Sequence, residues 1–248
     1  MYYEQKNITL MKRAIIMGAS SGIGLEVARL LKERGWTVGV AARRLERLTE
    51  FEVSAQIDVR HKEAGEQLMQ LVERLGGMDL YFHASGIGKQ NHKLQEDIEL
   101  RTMETNATGF TRMVGAAYRY MAAHGGGHIA IISSIAGTKG LGPAPAYSAT
   151  KALQNTYIEA LEQLANAQKL NIRFTDLRPG FVDTDLLRPE AAGNQQRYPI
   201  LLEPKVVAQE MMRSIEYQRH VRVIDWRWRI VTAVWRCIPR CLWRHFKL

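Results

Sequence analysis

The stretch "PAYSATKALQN" sets Tyr147 and Lys151 four residues apart, so on a helix they share one face, one turn from each other. Ser148, Ala149 and Thr150 between them are small and leave the pair accessible. A phenol has a reference pKa near 10, and bringing it toward neutrality takes about 4 kcal/mol, which a neighbouring ammonium and a cationic ring beside it could supply. That is acid chemistry at a reacting oxygen. Such pairs also arise by chance on surface helices, so the spacing permits the chemistry without assigning it. A second candidate lies near the start, where "GASSGIG" carries Gly18, Gly22 and Gly24 directly after an apolar run. These glycines do not follow the G-x-G-x-x-G spacing. They still meet the demands of a loop that cradles a phosphate: a tight turn, bare backbone close to a pyrophosphate, and a helix N-terminus with free N–H groups. An ordinary turn is the competing reading, and the position after the first buried strand favours the nucleotide.

Positioning these groups requires a scaffold, and the hydropathy pattern supplies one. Short apolar runs at 13–17, 37–41, 54–58, 78–84, 128–133, 172–177 and 221–224 read as strands. Longer amphipathic segments at 22–34, 61–75, 98–123, 146–168 and 204–218 read as helices. Strand and helix alternate without a linker, internal repeat or low-complexity segment, which predicts an α/β fold: one Rossmann-type doubly wound parallel sheet of about seven strands, with helices on both faces. Residues 1–224 form the expected single domain, with 1–11 a frayed extension and Met11 an alternative start, and 225–248 form a separate tail. After the second strand the chain reads "VAARRLERL": Ala42 stands where an acid would meet a free ribose 2′-hydroxyl, and Arg43 and Arg44 follow. An arginine fork suits a 2′-phosphate, so NADP(H) is the expected cofactor; a solvated basic turn is the alternative.

Taken together, these motifs resemble the short-chain dehydrogenase/reductase family in its branch of roughly 250 residues, over Lys12 to Ile224. "GASSGIG" is similar to that family's T-G-x-x-x-G-x-G loop, with Met17 for the threonine, and "IDV" at 57–59 to the segment whose Asp58, with Val59, holds the adenine. "NATG" places Asn106, "ISSIAG" places Ser134 and "YSATK" places Tyr147 and Lys151 at the family's catalytic positions. "RPGFVDT" supplies Pro179, Gly180, Val182 and Thr184 to seat the nicotinamide. The cofactor contacts implied are thus Gly18, Ser20, Ser21, Gly22, Ile23, Gly24, Arg43, Arg44, Asp58, Val59, Gly86, Tyr147, Lys151, Pro179, Gly180, Val182 and Thr184. The implied mechanism passes a hydride to a carbonyl carbon while Tyr147 protonates the alkoxide, Ser134 holds the oxygen, Lys151 lowers the tyrosine pKa and bonds the ribose, and Asn106 positions a water that links Lys151 to solvent. Ser133 serves the strand end. One motif departs: where the family has Asn-Asn-Ala-Gly the chain reads "HASG", and His83 is expected to be a buried, hydrogen-bonded structural substitute.

Substrate choice is expected from 138–146 and from 185–204, where "YPILL" is either an apolar lid or a cover for the core. The leading expectation is reduction of a ketone, hydrophobic or lipid-like; a soluble reductase of small ketones or sugars and a non-catalytic nucleotide-binding protein are the alternatives. With 46% hydrophobic and 24% charged residues the chain buries a full core, and no metal-ligand set is seen. Cys237 and Cys241 make no disulfide framework, which suits a reducing cytoplasm. Of the net charge of +9, most falls from Arg219 onward, so the body offers no extended basic groove and no nucleic-acid partner is expected. "DWRWRIVTAVWRCIPRCLWRHFKL" plots as an amphipathic stripe with Arg229, Arg236, Arg240, Arg244 and Lys247 on one side, broken at Pro239. The expected partners are a small carbonyl compound, a second copy in a dimer or tetramer, and an anionic membrane at the inner surface, with Trp235 and Trp243 beneath the headgroups. Packing on the domain or a subunit is the competing role for the tail.

Overall fold

The computed structural model describes residues 12–187 and 198–246. The proposed extension at 1–11, part of the substrate segment (188–197) and Lys247 lie outside them. Seven strands form one parallel sheet: β1 (Arg13–Met17), β2 (Thr37–Ala42), β3 (Val53–Gln56), β4 (Leu80–His83), β5 (Gly127–Ile132), β6 (Ile172–Arg178) and β7 (Val221–Val223). Their order is β3-β2-β1-β4-β5-β6-β7. The chain therefore turns back at the β1/β4 boundary, and in open sheets of this kind ligands bind in the crevice beyond the carboxyl ends of the strands at that reversal. All seven expected strands are present within two residues of their expected ends, because each is a short apolar run with no helical spacing.

Alternate residues of the five inner strands feed two cores. On one face Ile15, Met17, Tyr81, Ile129 and Phe174 pack with α2 (Ala64–Leu75), α4 (Phe110–Ala123) and α5 (Pro145–Ala167), through Leu68, Leu71, Phe110, Met113, Ile158 and Leu161. On the other, Ile16, Val40, Phe82, Ala130 and Leu177 pack with α1 (Gly22–Glu33) and α6 (Pro204–Glu216), through Val27, Leu31, Val207 and Met211. Strands covered on both faces must be apolar throughout, which is why they read as continuous runs.

The segment expected as one helix over 98–123 is three pieces: α3 (Glu96–Met103), a π-helical stretch over Glu104–Gly109, and α4. Apolar periodicity does not resolve an added residue per turn, and such bulges favour functional sites. The tail forms α7 (Trp226–Cys237) and α8 (Arg240–Trp243), divided at Pro239 as its missing N–H and fixed φ require. Asp225 caps α7, its carboxylate accepting from the Arg227 N–H at 2.8 Å.

Candidate active site

The carboxyl end of β5 runs into Ser133 and Ser134, and Pro145 opens α5 at a position where its missing N–H costs nothing. Tyr147 thus falls in the first turn and Lys151 in the second. Lys151 is 4% exposed, and its ammonium donates to the Ile132 carbonyl at 2.9 Å and to Gln154 Oε1 at 2.9 Å. It also lies 5.8 Å from the centre of the Tyr147 ring. Burial brings the lysine pKa down to about 8, with Asp176 pulling the other way. In the protein alone, burial pushes the Tyr147 phenol up, opposed by the Ser134 hydroxyl. The expected lowering counts a cationic nicotinamide as well as the ammonium, and the phenol's loss of water works against both.

Ser134 is buried, and its hydroxyl accepts from the Ala136 N–H at 3.1 Å and reaches the Pro179 carbonyl at 3.4 Å. That ties the expected serine to the turn expected to seat the nicotinamide. Ser133 has the structural role assigned to it: it donates to Asp176, which also takes two bonds from Arg178, through Nε at 2.7 Å and the ion pair at 2.6 Å. The carboxylate is buried but fully bonded, as a buried charge requires.

Asn106 sits in the π-helical stretch, fully buried, and its amide clasps Ile87 from both sides, accepting from the N–H at 2.8 Å and donating to the carbonyl at 2.6 Å. It holds the loop that follows β4. Its own main-chain carbonyl accepts from Gln154 Nε2 at 2.8 Å. Gln154, absent from the sequence reading, therefore spans Lys151 and Asn106 where a water was expected. A signal for it exists: Tyr147, Lys151, Gln154, Ile158, Leu161 and Ala165 follow one inward stripe of α5, and an amide among those positions calls for a partner.

The glycine loop fits a dinucleotide phosphate. Gly18 has φ 95°, and a Cβ there would stand 2.6 Å from the Ser85 N, so the loop admits glycine alone. Ser21 precedes α1 without capping it, and the first turn holds no acid. The N–H groups of that turn, with the helix dipole, are therefore not taken by a cap. Gly22 lies against Thr184, joining the two expected ends of the cofactor cradle. Arg44 approaches Ser20 at 3.4 Å, while Arg43 is exposed at the end of β2. Asp58 is held down to about 2 first by its hydrogen bond from Arg60, and Arg43 adds to this at longer range. Gly86 faces the Asn106 amide oxygen and the Lys151 ammonium, 3.4 Å and 3.8 Å from where a Cβ would stand. His83 is buried, its Nδ1 paired with the Tyr81 hydroxyl at 2.9 Å and its ring edge-on to Phe110.

The tail docks beside this site. Trp235 Nε1 donates to the Thr138 hydroxyl at 2.8 Å, Trp243 Nε1 to the Gly140 carbonyl at 2.8 Å, and Lys139 Nζ to the Ile238 carbonyl at 2.7 Å. These bonds commit both indole donors, expected beneath lipid headgroups, to the loop at 138–146. Trp228, not singled out from the sequence, is buried against Gly180, where a Cβ would fall 2.2 Å from its Nε1. Phe181 stands between it and Tyr198, 5.6 Å and 4.8 Å away by ring centres. "YPILL" thus divides: Leu202 packs on the core and Tyr198 joins this aromatic wall.

The chain is similar to known proteins. The family model described as short chain dehydrogenase matches residues 12–195. An uncharacterized oxidoreductase of Myxococcus xanthus is 30% identical over 93% of this chain and 94% of its own, and one of Staphylococcus saprophyticus is 29% identical over 86% and 94%. Among solved structures, a short chain dehydrogenase from Burkholderia cenocepacia in complex with NADP superposes with a TM-score of 0.80 at 19% identity, covering 96% of this chain and 98% of that one.

Proposed function

Since the chain belongs to the short chain dehydrogenase family and is an oxidoreductase of that type, we propose that it reduces a ketone to a secondary alcohol with NADPH. The observation that carries this reading is the convergence of Ser134, Tyr147 and Lys151 at the carboxyl ends of the central strands, beside a bare-backbone cradle at Gly18. Arg43 and Arg44, with no acid at the end of β2, support the 2′-phosphorylated cofactor. So does the NADP in the Burkholderia structure.

With its phosphates in that cradle, the cofactor would supply the hydride from its nicotinamide. Tyr147, kept protonated by its raised pKa, gives its proton to the developing alkoxide, and Ser134 donates a hydrogen bond to the same oxygen. Lys151 presents its charge across the tyrosine ring, and Asn106 fixes the Ile87 backbone. Phe181, Tyr198 and Trp228 favour a hydrophobic ketone. Two exposed thiols, Cys237 and Cys241, support a cytoplasmic setting, and exposed Leu100, Met103, Leu153 and Leu164 on α3 and α5 support a homo-oligomer.

The test is an NADPH-oxidation screen over ketones graded by chain length, with Tyr147→Phe beside the wild type. Turnover should fall by roughly 10²- to 10⁴-fold in the variant while NADPH still binds. Near wild-type turnover in Tyr147→Phe sinks the mechanism.

A further inference from the structure

Gln154 stands three residues after Lys151 on the inward face of α5 and is fully buried. Its two hydrogen bonds fix which way the amide points. An ammonium only donates and a carbonyl only accepts, so Oε1 must face Lys151 Nζ and Nε2 must face the Asn106 carbonyl, as they do at 2.9 Å and 2.8 Å. The π-helical stretch over Glu104–Gly109 carries that carbonyl.

We propose that Gln154 is a positioning residue of the reductase site: its amide closes the gap between Lys151 and Asn106, holds the ammonium beside Tyr147, and shuts the route by which water would link Lys151 to solvent on that side. The proposal rests on the reductase reading for the role of Lys151. The chemistry follows from the amide itself. A bridging water accepts one proton and releases another, whereas this carboxamide offers Lys151 only an acceptor and the carbonyl only a donor. It conveys direction and no proton. The charged and titratable groups facing Lys151 form a fixed background to this contact: Asp176 of β6, itself paired with Arg178; His83 of β4; and Tyr147 on the same helix.

The experiment follows the ¹⁵N signal of the Lys151 ammonium in the full chain without cofactor, in the wild type and in Gln154→Leu, Gln154→Glu and Gln154→Ala. The leucine removes an acceptor from a buried ammonium and should lower its titration midpoint by about one unit, while the glutamate adds an opposite charge and should raise it by at least as much. In the alanine variant water enters, and the ammonium protons should exchange roughly tenfold faster or more, since bulk exchange replaces exchange limited by local opening. The pH profile of ketone reduction should move in the same sense as each midpoint. Midpoints and exchange that match the wild type in the glutamate and alanine variants overturn the proposal, whether or not the leucine variant folds. Should the wild type reduce no ketone, the reductase reading fails, and the ammonium titration still decides whether Gln154 holds Lys151.

Discussion

His83 has given up water for one hydrogen bond and an aromatic neighbour, and its Nε2 has no partner at hydrogen-bond distance among the described residues. Burial first, then the charge of Lys151, brings its pKa down to about 3, while the nearby Ser85 backbone, short of a full hydrogen bond, works the other way. The unfolded chain takes up this proton near pH 6.5 and the folded one does not, so stability is intact above about 6.5 and falls as pH drops toward 3. His128, held to about 4 mainly by burial, adds to the same slope over a narrower window. In His83→Asn the slope of unfolding free energy between pH 6 and 4.5 should flatten by about 1.4 kcal/mol per pH unit, measured by urea denaturation. An unchanged slope would mean that the ring is protonated in the folded state. Side chains of this kind divide sharply by legibility. Ser134, Tyr147 and Lys151 were readable because chemistry and motif spacing coincide in a short stretch. The partners that set their state, Gln154 and Asp176, come from packing, and only the amide on an apolar stripe left a trace in the sequence.

At the scale of elements, the sheet was readable to its last strand, since both-face burial writes itself into composition, whereas the π-helical stretch and the docking of α7 were not. The α7 contact depends on shape. Trp228 seats on Gly180 so closely that an added methyl would meet Nε1 at 2.2 Å and Cε2 at 2.4 Å. An indole held at 5% exposure has little room to yield. Gly180→Ala should therefore cost about 1 to 3 kcal/mol and move α7, seen as a red shift in tryptophan emission. Gly142→Ala is the control, because nothing lies within 4 Å of its added carbon. The cost of Gly180→Ala should shrink in a Trp228→Leu background, since contacting positions couple. An equal cost in both backgrounds would show that the tryptophan does not set the requirement for glycine.

Seen whole, the molecule ends in a segment with two unlike faces. The inner face is committed to the loops at Thr138, Gly140 and Gly180 through Trp235, Trp243 and Trp228, so on this side the tail packs on the domain, the role that competed with membrane binding. Three of its neighbouring charges are also committed: Arg222 and Arg229 pair with Glu210 of α6, and Arg227 with Asp225. The outer face is different. Trp226, Ile230, Val234, Leu242 and Phe246 are all more than half exposed, and among the described residues no carboxylate lies within ion-pair reach of Arg236, Arg240 or Arg244. A symmetric pairing of two copies through this face would bring like charges together, whereas an anionic membrane would supply the missing counter-charge. No helix among the described residues is long and apolar enough to cross a membrane, so any attachment is peripheral. The full chain should sediment with phosphatidylserine vesicles at low salt and release at high salt, since each basic residue near such a surface adds about 1 kcal/mol that salt screens. Replacing Arg236, Arg240 and Arg244 with glutamate should abolish sedimentation while leaving NADPH binding intact, because the inner face is untouched. A full chain that ignores vesicles at both salts, and whose dimer dissociates on Ile230→Glu, would assign the outer apolar face to a second copy instead.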